Sequence, residues 1–155
     1  MNFSLRPMTA DDVEVMRTWH YPAPYQTYDL DADPGDIDLI LAEIVTGERQ
    51  FTVVDPDEEG LCGFFRFVLM EDVVEIGLGL RPDLTGRGAG ASFVETGLAF
   101  ARARWSPSTF ALDVFPWNER AIRAYERAGF ARGDVYTRRF DGGTERRFLR
   151  MSRPD

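Results

Sequence analysis

The chain has 155 residues, 44% of them hydrophobic and 13% aromatic, which is enough to bury a core and excludes a disordered polymer. Its net charge of −8 disfavours a nucleic-acid partner and suits a cationic substrate, and no apolar run approaches the roughly 18 residues that cross a bilayer. A single cysteine, Cys62, makes no internal disulfide or metal cluster, and the start MNFSLRPMTADD lacks a secretory layout, so a cytoplasmic protein without metal is expected.

FSLRPM alternates like a short first strand, and Thr9 before ADDVEVMRTW reads as a helix N-cap with acidic residues in the first turn. A loop rich in proline and tyrosine comes next. PGDIDLILAEIVTG then has helical spacing at Ile37, Ile40, Leu41, Ile44 and Val45, with a stop at Gly47. FTVVD, LCGFFRFVLM and VVEIGLGL are three strands of an antiparallel meander, joined by PDEEG and ED. After TGRGAG, residues 85–90, the positions Ala91, Val94, Leu98, Ala101 and Trp105 give one apolar helix face. STFALDVF is a strand, NERAIRAYERAG a helix closed by Gly129, and 132–140 with 145–151 a final hairpin around DGGT. Arg138, Arg139, Arg146, Arg147 and Arg150 flank that turn and read as a solvated strand face. The order predicts an α+β fold with one local parallel crossover, as a single domain over 1–155.

The segment TGRGAG carries the functional question. Glycines where a strand hands over to a helix let a ligand approach the first-turn N–H groups, which have no carbonyl partners, so an anion such as phosphate fits there. The plain alternative is a tight connection that uses glycine for positive φ. A Walker-type loop needs lysine, and all 18 Lys and Arg residues are arginine. A dinucleotide turn is a rival, since Gly86, Gly88 and Ala91 satisfy G-x-G-x-x-A and Asp113 comes at the right interval for a ribose acid. Against it, RPDLT separates the strand from the first glycine, and only one helix and a hairpin remain after Asp113.

GLGLRPDLTGRGAG followed by VFPWNERAIRAYERAGF resembles the GCN5-related N-acetyltransferase superfamily over roughly residues 73–130, as a small, bacterial-type member. Thr85 departs from the Gln or Arg that the family carries at the first loop position. The resemblance implies a mixed, mostly antiparallel sheet of about seven strands with a central parallel crossover and about four helices. It implies acetyl-CoA as donor, its pyrophosphate held at Thr85, Gly86, Arg87, Gly88, Ala89 and Gly90, and its pantetheine arm along Leu78 to Leu80 and at Asn118. Tyr125, seven residues after Asn118 and so on the same helix face, would reach the sulfur. A phenol with pKa near ~10 stays protonated at neutral pH and can serve a departing thiolate whose conjugate acid lies near ~8.5.

The amine must lose a proton before attack, and Glu75, on the same strand as Leu78, is the candidate base acting through a water; Asp113 and His20 are weaker ones. WHYPAPYQTYDLD, residues 19–31, offers Trp19, Tyr21, Tyr25 and Tyr28 with Asp29 and Asp31 as cover for an ammonium-bearing acceptor. The expected reaction is direct attack by a primary amine of a small molecule or peptide in a ternary complex. The alternatives are a CoA-binding sensor module and, third, a dinucleotide-binding oxidoreductase. Exposed sheet edges and the C-terminal hairpin suit a homodimer.

Overall fold

The computed structural model describes residues 1–140 and 142–155; Asp141, in the DGGT turn, lies outside them. In chain order the elements are β1 (Ser4–Pro7), α1 (Ala10–Met16), α2 (Pro34–Glu43), β2 (Gln50–Val54), β3 (Leu61–Met70), β4 (Val73–Leu80), α3 (Gly90–Trp105), β5 (Thr109–Val114), α4 (Glu119–Arg127), β6 (Ala131–Arg139) and β7 (Glu145–Pro154). The strands form a seven-stranded sheet in the order β1-β2-β3-β4-β5-β7-β6. β4 and β5 pair in parallel, and β1 with β2, β2 with β3, β5 with β7 and β6 with β7 pair antiparallel. This is the expected α+β architecture.

The chain divides into two compact units, Met1–Phe67 with Leu78–Ala89, and Val68–Gly77 with Gly90–Asp155. In the first, α1 starts as expected: Thr9 accepts from Asp12 N while the Asp12 carboxylate accepts from Thr9 N, a reciprocal cap. Met8, Val13, Met16, Trp19, Ile40 and Leu61 form a buried cluster, with Ile37, Ile44 and Phe64 packed against it. Phe51, Phe65 and Phe67 stack along β2 and β3, with ring centroids 5.8 and 5.5 Å apart. Burying a ring of this size contributes roughly 1.5–3 kcal/mol, so this stack is a main source of cohesion.

The second helix is shorter than its spacing predicts. α2 ends at Glu43, and Leu41 and Val45, assigned to its apolar face, are exposed, Val45 by 84%. The cause is local: Thr46 Oγ1 donates to Glu43 O and accepts from Glu48 N, which folds the chain into a turn ahead of the left-handed Gly47. Only the Ile37, Ile40, Ile44 stripe reaches the core.

In the second unit, β4 pairs with β5 only from Val73↔Thr109 to Glu75↔Ala111, while β5 stays paired with β7 from Thr109 to Val114. Phe110, Leu112 and Val114 of β5, with Leu149 and Met151 of β7, point to the buried face. Phe93, Val94, Leu98 and Ala101 of α3 and Ile122 of α4 are buried, in keeping with the predicted α3 face, although Ala91 and Trp105 are half-exposed. Arg153 ties β7 to both helices, donating to Glu95 at 2.7 Å and to Ala128 O at 2.9 Å. β7 runs three residues beyond the predicted hairpin, because Thr109↔Pro154 extends its pairing with β5.

Candidate functional site

The glycine turn belongs to the first unit and is held from behind by an arginine that carries no signal in the sequence. Arg81 Nη1 donates to Glu59 O at 2.9 Å and Leu61 O at 3.0 Å, while Nε reaches Asp83 at 2.6 Å and Nη2 reaches Glu58 at 3.1 Å. A 3-10 turn over Pro82–Leu84 comes next, anchored by buried Leu84. Thr85 Oγ1 then donates to Pro82 O at 2.6 Å, so its hydroxyl is turned into its own chain and closes the bend. The short side chain at this position thus serves the backbone of the bend itself.

Gly86 and Gly88 both have left-handed backbone, with φ of +71° and +80°, and no atom lies within 4 Å of where a Cβ would project. Both glycines are therefore required by conformation and face open space, which leaves their N–H groups approachable. Gly90 differs: it is the first residue of α3, and a Cβ there would sit at ordinary contact distance, 3.5 Å, from the Ala124 Cβ. Arg87, between the two left-handed glycines, is exposed and makes one long bond to Asp83 O at 3.4 Å. Ala89 leads into a helix of sixteen residues, long enough for its first-turn N–H groups to carry a partial positive charge.

β4 runs on to Leu80 beyond its last pair with β5, at Glu75. Leu78, Gly79 and Leu80 are half-buried. Gly79 is needed by contact, since a Cβ there would lie 2.3 Å from the Phe64 ring. The Leu80 carbonyl accepts from Tyr21 Oη at 2.7 Å, so part of that strand end is taken by the aromatic segment. That segment holds two 3-10 turns, over Tyr25–Tyr28 and Leu30–Ala32. Trp19 is buried in the core, so it is not part of an acceptor cover; the tryptophan packs with α1 and α2 because its indole is the largest apolar surface there. Tyr21 and Tyr28 meet edge to face with centroids 6.4 Å apart. Asp29 accepts from Tyr21 N at 2.8 Å and lies 3.0 Å from His20 Nδ1, and Asp31 pairs with Arg17 at 2.9 Å. Cys62 is buried, which pushes its thiol pKa up and away from thiolate chemistry.

In the second unit, Glu75 is bound to Arg150, whose Nη1 donates to it at 3.1 Å and to Asp113 at 3.4 Å. Asp113 is 7% exposed at its side chain and also accepts from Arg138 Nη1 at 3.3 Å and from the Tyr136 hydroxyl. Burial, reinforced by the adjacent Asp113 carboxylate, pushes the Tyr136 phenol up to about 12, so it stays protonated. Asn118 is buried and caps α4, its side-chain oxygen accepting from Ala121 N at 3.2 Å. Tyr125 is half-buried on the same helix, its ring edge-on to Phe130 with centroids 6.3 Å apart. The structure thus joins Glu75 to Asp113 through Arg150, and it leaves His20 on the surface with Asp29.

The dinucleotide reading does not survive the topology. Among the described residues β4 and β5 are the only parallel pair, and after Asp113 the chain forms α4 and an antiparallel hairpin, not further parallel βα units.

A model of the family described as Acetyltransferase (GNAT) family matches residues 11–130. No curated protein sequence matches the chain. Among solved structures, the chain is similar to an acetyltransferase of the GNAT family from Bacillus anthracis, at TM-score 0.77 and 16% identity, over 99% of this chain and 95% of that one. It is similar to an aminoglycoside acetyltransferase in complex with coenzyme A, at TM-score 0.74 and 20% identity, over 99% and 95%. A third is spermidine N-acetyltransferase from Vibrio cholerae in complex with CoA and spermine, at TM-score 0.70 and 18% identity, over 97% and 94%. At such identities these three report the fold.

Proposed function

From the premise that the chain belongs to the GNAT acetyltransferase family and is an acetyl-CoA-dependent N-acetyltransferase, we propose that it works as one domain over 1–155 and acetylates a primary amine of a small molecule or peptide. The observation that carries the donor side is the pair of left-handed glycines, Gly86 and Gly88, open to solvent directly before the α3 N-terminus. Backbone N–H groups of Gly86, Arg87, Gly88, Ala89 and Gly90 would hold the pyrophosphate, with Thr85 shaping the bend and the exposed Arg87 guanidinium adding charge. Main-chain groups of Leu78 and Leu80 would take the pantetheine arm, in the manner of an added strand. Asn118, which caps α4, would present its side-chain amide to the same arm. Bound there, acetyl-CoA supplies the activated acetyl thioester.

Transfer proceeds by direct attack of the neutral amine in a ternary complex. Glu75 would take the proton from the amine through a water, held in place meanwhile by Arg150, and Tyr125 would give its phenol proton to the departing thiolate. An amine–thioester exchange of this kind needs no covalent enzyme intermediate, in keeping with a buried Cys62. The three solved neighbours include enzymes named for spermidine and for aminoglycosides, both carrying several amines, which supports a small amine as the acceptor class. A cytoplasmic, bacterial setting and a homodimer through the exposed β6 edge complete the proposal.

Calorimetry with acetyl-CoA, using NAD as control, tests the donor side. Micromolar acetyl-CoA binding is expected, weakened at least tenfold by Gly88→Val, because a branched side chain resists the left-handed conformation. Binding of NAD alone would sink the assignment of the turn. On the chemical side, Tyr125→Phe is expected to lower kcat by roughly ten- to a hundredfold with acetyl-CoA affinity nearly unchanged, and an unaltered kcat removes its role as acid.

A further inference from the structure

Four side chains of the second unit form one hydrogen-bonded line across four strands: Glu75 on β4, Arg150 on β7, Asp113 on β5 and Tyr136 on β6. All of them lie on the sheet face opposite the buried residues Val74, Ile76, Leu112, Leu149 and Met151, since they alternate with those or pair with residues that do. The carboxylates in the line are already matched, Glu75 by Arg150 and Asp113 by Arg150 and Arg138. Asp113 is too buried for a ligand to reach. Tyr136 is 36% exposed, and its hydroxyl spends its one proton on Asp113, so the lone pairs of its oxygen remain as acceptors.

Beside this line stands a run of aromatic rings. Phe148, the cross-strand partner of Tyr136, stacks on Phe115 at 5.1 Å, and Phe115 stacks on Trp117 at 5.7 Å. Phe140 meets Phe148 edge-on at 6.2 Å. Trp117 is 46% exposed, an unusual degree for the largest apolar side chain. The rings already carry cations on their faces, Arg138 lying over Phe140 and Phe148 at 5.4 and 5.7 Å.

We propose that Tyr136 and the Phe115–Trp117–Phe148 wall form the acceptor site, the phenol oxygen receiving the ammonium and the wall the body of a monoamine with an aromatic or bulky apolar group. The hydroxyl, its proton held by Asp113, offers its oxygen as an acceptor. Charge separates this acceptor from a polycation. The second unit carries eleven acidic residues against twelve arginines, so the acidic excess of the chain lies in the first unit, and an extended polyamine gains little from this face. The inference rests on the acetyltransferase reading above, and it makes Tyr136 and Trp117 specificity-determining residues without altering the donor site.

The test measures CoA release by the full chain with phenethylamine and with spermidine as probes, alongside acetyl-CoA calorimetry. Phenethylamine is expected to give a kcat/KM at least tenfold above spermidine. Tyr136→Phe is expected to raise its KM about tenfold, the worth of one hydrogen bond to a charged group, with kcat and acetyl-CoA affinity nearly unchanged. Trp117→Ala, at a position 46% exposed, is expected to raise the KM for phenethylamine severalfold in the folded variant. A preference for spermidine, no turnover of phenethylamine despite acetyl-CoA binding, or an unchanged KM in either folded variant overturns the acceptor site and leaves the donor site standing. Loss of acetyl-CoA binding in the wild-type chain overturns both.

Discussion

Among the nearly buried carboxylates, Asp12 and Glu43 of the first unit contrast with Asp113 of the second. In the first unit, Asp12 accepts from Arg6 at 2.7 and 2.9 Å, from Thr9 N at 2.9 Å and from Thr52 at 3.0 Å. Glu43 accepts from Arg66 at 2.7 and 2.9 Å, from Arg49 at 3.0 Å and from Gln50 at 2.9 Å. Each is a closed arrangement, with a two-pronged arginine and further donors filling both oxygens. Burial alone would raise the pKa of these groups, yet the hydrogen bonds outweigh it and hold both down to about 2. Asp113 in the second unit is just as buried, but its arginines stand farther off, at 3.3 and 3.4 Å, and its remaining partner is an exposed phenol. A carboxylate enclosed by short charged donors is a staple of the fold, whereas one whose chain of partners ends at the surface has something to offer a ligand.

The largest effect that would sharpen this contrast is on stability. Glu43→Gln removes the buried carboxylate that accepts from Arg66, Arg49 and Gln50 and is expected to cost about 3 kcal/mol, read as a lower urea midpoint, with kcat and acetyl-CoA affinity unchanged in the folded protein. A loss of turnover at full stability would break the division between staple and site. Next comes acid. Because the folded pKa values of Asp12 and Glu43 lie below their ordinary values of 3.8 and 4.5, their stabilisation is complete above about pH 5 and is lost as pH falls toward 2. Each contributes on the order of 2–3 kcal/mol, so the urea midpoint should drop steeply across that window, and a flat profile would mean that the staples are not formed in solution. The smallest effect belongs to the open end: Tyr136→Phe should change stability by less than about 1 kcal/mol, since Asp113 keeps Arg138 and Arg150 and the ring remains.

Much of the fold was legible because its signals are local. Thr9 and Asp12 stand three residues apart and cap α1 without help from the rest of the chain. The alternation in FTVVD and LCGFFRFVLM and the short turns after them define β2, β3 and β4. Of the three alternating glycines, Gly86 and Gly88 do what a turn into a helix demands. Leu41 and Val45 have helical spacing but face solvent, and there the cause is local, since α2 ends at Glu43 and Thr46 turns the chain. Elsewhere the outcome depended on distant partners. Trp19 looks like a substrate-facing ring in a loop, and only the cluster around Met16 and Ile40 makes it core. Arg81 shows no signal in RPD; its role behind the glycine turn comes from the carbonyls of Glu59 and Leu61, brought to it by β3 and β4.

The sequence by itself determined the order of strands and helices, the left-handed turn before α3 and the two motifs that mark the family, because each depends on backbone preferences and side chains within a few residues. Tertiary structure alone decided which charges meet. Arg150 and Glu75 lie 75 positions apart, and Asp113 reaches Tyr136 across 23; no spacing rule predicts such pairs, since they exist only once β4, β5, β6 and β7 lie side by side and burial makes an unpaired charge too costly to leave.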